Sequence, residues 1–486
     1  VQKALSFVLL LVLGGSSLQA VPIPISGRVV DANGQGIAAA RVALIPILPY
    51  AEALRLEEGG KLRPEPAATV TSDGAGAFRL TAPDAGMWSL RVEAPGTVAV
   101  ETALAPLTEE AELPDARLAA DGGLRVRVTD PGGRPLPGAR VRLESRGAGA
   151  EPWVPDPGRI ARTDAAGVAT LPKGRDEAVN VSASAPGFVP VQQERVRGGA
   201  VELRLAAGRP RRIAVRDGKG KALSGVFVTW EANGAPLGRT AETGELDLTI
   251  PSPPGGAELR LTAADGRSLV VRVNGAREGD TAAAPAKLVL PALLPATGKV
   301  VSAKDGRPVA GALAWAAKGP GGAVRAGSDG ALRFPALAAD EAVTVAAAGF
   351  FPAQGQAVAG RLPAFVLQPR LTASGLVVDD AGRPVAGAAI KVAYLANAAP
   401  MRNMTVFRSG GFARSALSGR FRLASLMAGV AYEVKVNRQG FAPARLELPA
   451  RAEGEPAGEL RIVLHAGRAA FGTVLDGAHR PLAGAE

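Results

Sequence analysis

The stretch GRPVAGA stands at residues 306–312 and again, letter for letter, at residues 382–388. Close variants follow the same plan: GRPLPGA at 133–139 and HRPLAGA at 479–485. Short runs flank the phrase in which apolar and polar residues alternate, as in LRVRVT before one copy and ARVRL after it. Alternation of period two marks a strand with one face turned inward. Between the runs, Gly133 and Gly306 can take a positive φ without a Cβ penalty, and Pro135, Pro308 and Pro384 fix φ as the chain leaves the turn. The phrase predicts a hairpin, and its recurrence counts the units that contain one.

The glycine that opens the second strand falls at Gly138, Gly225, Gly311, Gly387 and Gly484, in steps of 76 to 97 residues. Ala39 takes that place in the first copy. Six starts at this period imply five whole modules and part of a sixth. Each module continues alike. A second turn and strand read TSDGAGAFRL (71–80), RTDAAGVATL (162–171), RTAETGELDL (239–248), GSDGALRF (327–334) and RSALSGRFRL (414–423). Later strands alternate toward a glycine, as in YEVKVNRQGF (432–441), and a last one closes the unit, as in VELRL (201–205) or LRIVL (460–464). Six or seven short strands in under about 100 residues predict an all-β chain of antiparallel β-sandwiches. The expected divisions are 24–121, 122–207, 208–294, 295–370 and 371–468, with a partial sixth module at 469–486.

Composition agrees. Among 486 residues are 61 Gly and 39 Pro but only 4% aromatics, which suits many short elements joined by turns. Cysteine is absent, so disulfides and thiolate metal sites are excluded and packing alone must hold each unit. The formal charge of +11 favours anionic surfaces as neighbours, a statement about association rather than fold. The chain opens VQKALSFVLLLVLGGSSLQA, with Lys3 ahead of an apolar run of ten residues, 4–13. At about 1.5 Å per residue such a run cannot cross a hydrocarbon layer of about 30 Å, so residues 1–20 read as an export signal cleaved after Ala20. No later stretch is apolar enough to span a bilayer. The expected location is exported: periplasmic, cell-surface or secreted.

Taken together, the pattern G-x-V-x-D, then G-x-P-L/V-x-G-A-x-V, T-D-x-x-G-x-F-x-L and Y-x-L-x-V-x-A-x-G-F/Y resembles the carboxypeptidase regulatory-like domain. The likeness is strongest at 130–141, 298–312 and 375–392 and runs over most of 24–486. It implies a transthyretin-like (prealbumin-like), Greek-key sandwich with a structural or adhesive role, since the zinc ligands of the associated carboxypeptidases belong to a separate catalytic domain. It also implies, by analogy of fold, carbohydrate binding as an alternative.

Catalytic residue types are scarce. The two histidines, His465 and His479, show no metal-ligand spacing, and no GxSxG elbow, phosphate-binding loop or dinucleotide fingerprint accompanies them. No enzyme activity, metal or cofactor is expected. Asp73, Asp164 and Asp329 read as Asx-type turn residues, because each turn offers one carboxylate where calcium wants several oxygens. Trp88, Trp230 and Trp315 alternate with aliphatic residues and read as inward-facing core. Trp153, in the Pro-rich loop EPWVPDPG, is the candidate ligand contact. Arg402 and Arg408 are further candidates, within a basic stretch, 401–445, where Phe421, Tyr432 and Phe441 occupy recurring core positions. Basic residues with interleaved aromatics can hold single-stranded nucleic acid, but export argues against that partner; a polysaccharide or another surface protein is the expected one. The insert at 50–66 predicts a helix over 51–58.

The expected function is a non-enzymatic exported scaffold, spacer or adhesion protein, elongated because the connections are short. The alternatives are a carbohydrate-binding surface protein, or the accessory region of a larger exported enzyme or receptor, since the chain stops at Glu486 where a second strand should begin.

Overall fold

The computed structural model describes residues 21–58, 63–145, 154–155, 159–175, 177–231, 234–250, 256–274, 286–316, 323–338, 340–394, 410–416, 418–452, 459–467 and 480. The second sandwich displays the plan most clearly. In Leu124–Thr129, Leu124, Val126 and Val128 are buried between exposed Arg125 and Arg127. That strand is the middle of a three-stranded sheet, antiparallel to Val168–Leu171 and parallel to Ala200–Arg204. The facing sheet has the order Arg159–Arg162, Arg140–Ser145, Val179–Ser184, Val191–Val196, all antiparallel. Aliphatic side chains of both layers, including Val126, Val141, Val181 and Leu203, fill the space between them. At about 1.5–3 kcal/mol for each fully buried aliphatic side chain, such a core holds the layers together without a cross-link.

The three-stranded layer recurs with Arg209–Arg216, Leu293–Ser302 and Arg370–Asp379 at its centre, each parallel to the strand that closes its unit. In the first sandwich Ile23–Val30 holds this place, beside Ala77–Ala82 and the short strands Ala111–Glu112 and Ala116–Arg117. Five separate hydrophobic clusters result, one per sandwich. The all-β tandem fold expected from the sequence is thus present, with one refinement. Each of the second to fifth sandwiches contains one parallel pair, and the first contains two short ones, because the closing chain crosses from the facing layer and lies alongside the first strand in the same direction.

The repeated phrase is a turn. Asp130 N–H donates to the Arg134 carbonyl (2.9 Å), Asp130 Oδ1 accepts from Arg134 N–H (2.9 Å), and Leu136 N–H returns to the Val128 carbonyl (3.0 Å). Gly133 sits at φ 81° and Gly138 at φ 71°, a left-handed backbone that glycine adopts without steric cost. A buried hydroxyl then ties the turn to the neighbouring strand. Thr163 Oγ1 accepts from Ala139 N–H (2.9 Å) and donates to the Leu136 carbonyl (2.6 Å). Ser72, Thr240 and Ser415 repeat both bonds in the first, third and fifth sandwiches. In the fourth, Ala326 stands at that place.

The helix expected in the first insert spans Tyr50–Glu58. Its Glu57 Oε1 receives Arg140 Nε of the second sandwich at 2.6 Å. The short strand Val154–Pro155 pairs with Val100–Leu107, lending the second unit's chain to the first unit's sheet. More distant units also meet. Arg325 Nη2 lies 2.9 Å from Asp84 Oδ2, and Arg370 Nη2 lies 2.5 Å from Glu109 Oε1. The elongated array expected from short connections is therefore not what forms: the fourth unit folds back onto the first. Linker length limits the spacing of neighbours, but it leaves their direction to surface contacts.

A candidate ligand cavity between sandwiches

Where the first, third and fourth sandwiches converge, they line a half-open cavity of about 840 Å³. Each offers the same end. Trp230 closes the strand Phe227–Trp230, Trp315 lies near the end of the equivalent strand Leu313–Ala316, and Trp88 pairs with Pro46 at the end of Arg41–Pro46. All three indoles line the cavity and are only partly buried. Trp88 and Trp230 do pack against their own cores, as the alternation predicts. Their inward reading is nonetheless incomplete, since a residue at the end of a strand overhangs the core and faces whatever abuts it. For Trp315 the inward reading fails, because Ala312, Ala314 and Ala316 are the residues that face the fourth core and Trp315 alternates to the other side. Trp88 also donates its Nε1–H to the Asp84 carbonyl (3.2 Å), with its ring against Gly86, where a Cβ would meet Nε1 at 2.8 Å.

Polar groups complete the lining. Arg260 Nε and Nη2 grip both oxygens of Glu231, at 2.8 and 2.5 Å, in the bidentate geometry that a planar guanidinium favours. Arg325 is paired with Asp84. The hydroxyls of Thr262 and Ser268 line the same cavity, and neither Oγ has a hydrogen-bond partner although both atoms are buried. A buried hydroxyl without a partner costs about 1–3 kcal/mol. The two residues stand opposite each other on the antiparallel strands Gly256–Thr262 and Ser268–Asn274, with both oxygens closed off from solvent.

A smaller cavity of 500 Å³ touches Arg41, Arg91, Glu93 and Arg159. Its cations are engaged: Arg41 and Arg91 with Glu93, and Arg159 with Glu177 through Nη2–Oε1 (2.8 Å) and Nη1–Oε2 (3.0 Å). Burial pushes the Glu177 carboxyl up, but hydrogen bonds from Arg159 and Ser145 and the charge of Arg159 outweigh it and hold the carboxyl below its ordinary range.

The other expected sites are as follows. Trp153, Arg402, Arg408 and His479 lie outside the described residues. His465 Nδ1 faces Asp380 Oδ1, both exposed. Asp73 and Asp164 are Asx turns, each Oδ1 accepting two backbone N–H groups at 2.8–2.9 Å. Asp329 Oδ1 accepts from Ala331 N–H at 3.0 Å, and that bond leads the lowering of its pKa. The nearby charges of Arg333 and Lys299 act in the same direction. Among the described residues no group of three His, Cys, Asp or Glu is placed to hold a metal ion, and no helix is long and apolar enough to cross a membrane. Phe421 and Tyr432 are buried core, as expected, and Phe441 packs against them. The cavity itself was not legible in the sequence; the only signal was that Trp230 and Trp315 fall five and four residues after the repeat glycines Gly225 and Gly311, near the end of the same strand of two repeats.

Residues 123–207 match the carboxypeptidase regulatory-like domain family. No curated protein matches the chain. Among solved structures, the chain is similar to the shaft pilin SpaA of Lactobacillus rhamnosus GG, at 11% identity over 39% of this chain and 98% of that one, with a TM-score of 0.17. It is also similar to GBS52, the minor pilin of Streptococcus agalactiae (12% identity, 37% and 99% covered, TM-score 0.20), and to the Bacillus anthracis TIE protein (12%, 93% and 76%, TM-score 0.15). The segment that matches the carboxypeptidase regulatory-like domain, 123–207, is the one with the Asp130 turn, seven strands and a parallel closing pair.

Proposed function

We propose that the chain is a non-enzymatic, exported scaffold or spacer made of beads divided at 24–121, 122–207, 208–294, 295–370 and 371–468, with a further unit starting at 469. The observation that carries this reading is the five self-contained cores of a single plan. A chain that repeats one stable bead, and varies mainly the loops between its strands, gains surface with each copy. Residues 1–20 supply the export signal, and the partner is another surface protein or a polysaccharide.

The test is a deletion series of the full chain, carrying a C-terminal epitope, expressed in a bacterium and followed by fractionation and N-terminal sequencing. The mature protein should begin at Val21 outside the cytoplasm, and removing residues 208–294 should leave the flanking sandwiches folded. A chain retained in the cytoplasm with residues 1–20 intact, or collapse of every sandwich when one is deleted, would defeat the proposal.

A further inference from the structure

We propose that the edge strand Ser268–Asn274 of the third sandwich pairs with the same strand of a second copy of this chain, joining two four-stranded sheets into one. This goes beyond the scaffold reading and does not depend on it. The first sandwich shows what this edge of the fold accepts. There the equivalent strand, Val100–Leu107, takes Val154–Pro155 of the second unit as an antiparallel neighbour, with Glu101 opposite Val154. In the third sandwich, among the described residues, Ser268–Asn274 pairs on one side only, with Gly256–Thr262. Its ladder runs through all seven residues without a register shift. The equivalent edges elsewhere are blunted. Val191–Val196 has a register shift and carries Glu194 and Arg195, the latter at φ 56°. Ala353–Gln356 is four residues long and contains Gly355, and Ala444–Leu448 bears Arg445 and Glu447. Short length, bulges and charges are the devices that keep an edge from pairing. Ser268–Asn274 has a single charge, Arg272, and leaves Val270 43% exposed.

The free edge is complementary to itself. Ala263 N–H donates to the Arg267 carbonyl (2.9 Å), which fixes the alternation of the ladder. Leu269, Val271 and Val273 therefore spend their backbone bonds on Gly256–Thr262, while Val270 and Arg272 direct N–H and C=O outward. A two-fold axis at Val271 satisfies both, because Val270 then bonds Arg272 of the second copy and Arg272 bonds its Val270. On the core side this register sets Val271 against Val271 and Leu269 against Val273, which extends the apolar layer of the third core across the junction. On the outer side Val270 stands against Arg272, so no like charges oppose each other. The interface is small, so the association is weak and depends on concentration.

Sedimentation equilibrium on the full chain, between about 1 μM and about 1 mM, should show monomer and dimer in exchange. Val270→Lys sets a lysine against Arg272 of the second copy. It should raise the dissociation constant about tenfold or more while the thermal transition is kept, since the position is exposed in the monomer. Adding Arg272→Glu turns that contact into an opposite-charge pair and should restore the dimer. The chain has no cysteine, so Val271→Cys places a single thiol at the axis. Facing Cα atoms there stand about 4.5 Å apart, within reach of a disulfide. Mild oxidation should convert this variant to a covalent dimer, while Val366→Cys, exposed on the fourth sandwich, should stay monomeric. A chain that is monomeric at every concentration leaves the edge to a strand of a different protein and overturns the proposal. So does a dimer that Val270→Lys leaves intact, or one that the added Arg272→Glu fails to restore.

Discussion

Thr163 secures two segments with one oxygen, accepting from Ala139 N–H and donating to the Leu136 carbonyl. Replacing it by alanine leaves a buried donor and acceptor open, which should cost about 1–3 kcal/mol. Peptide-resolved hydrogen exchange on Thr163→Ala should show protection lost in 122–207 and kept elsewhere. In the fourth sandwich Ala326 occupies that position, and Ala326→Ser should raise protection there instead. A second residue-scale prediction concerns acid. Glu177 is held below its ordinary value of 4.5. Its contribution to stability is therefore complete above the unfolded pKa and lost as pH falls through the lower folded one. Glu177→Gln leaves Arg159, which is 4% exposed, without a compensating charge, and should cost about 3 kcal/mol at neutral pH. Urea titrations of both proteins at about pH 7 and about pH 3 should show the difference shrinking at the acid end. The turn residues Asp130, Asp217 and Asp379, whose backbone hydrogen bonds hold their pKa values down, add stability in the same direction.

Within a strand, what matters is how much room the neighbouring strands of the same sheet leave. Gly375 pairs with Phe421 across the sheet, and a Cβ at Gly375 would overlap the Phe421 ring and lie 2.5 Å from the Leu460 carbonyl oxygen. The aromatic covers the glycine, so neither can change alone. Gly375→Ala should destabilise the fifth sandwich by about 1–3 kcal/mol through overpacking, read as a lower urea midpoint for exchange in 371–468. Elements of this kind were legible: alternation placed Leu124, Val126 and Val128 inward, and the Asp–Gly spacing marked each turn. Trp88 and Trp230 show where that reading stops. Period two tells which face of a sheet a side chain occupies, but not how far along the strand it stands from the centre of the core. Trp230 is on the predicted face and still reaches past the edge of its sandwich. The hydroxyl of Thr163 was likewise hidden, because its partners lie 24 and 27 residues away in the chain.

At the scale of the molecule, a repeat written five times fixed the number of beads but not their arrangement, which rests on contacts between distant repeats such as Asp84 with Arg325 and Glu109 with Arg370. Ten-residue strands span roughly 33 Å, so five units in line would reach about 165 Å and a radius of gyration of roughly 50 Å. Small-angle scattering should give a clearly smaller value, below about 40 Å, and Arg325→Glu with Arg370→Glu should enlarge it. A wild-type value of about 50 Å would rule out the folded-back arrangement. The closing pair of each sandwich has a mechanical consequence. Leu124–Thr129 and Ala200–Arg204 lie side by side and point the same way, so the chain enters and leaves that bead at opposite ends. A pull on the two termini loads the hydrogen bonds between these strands in shear, all at once, instead of unzipping them one after another. Beads wired in this manner yield late and singly under tension, so a chain pulled by its ends lengthens in steps before it parts.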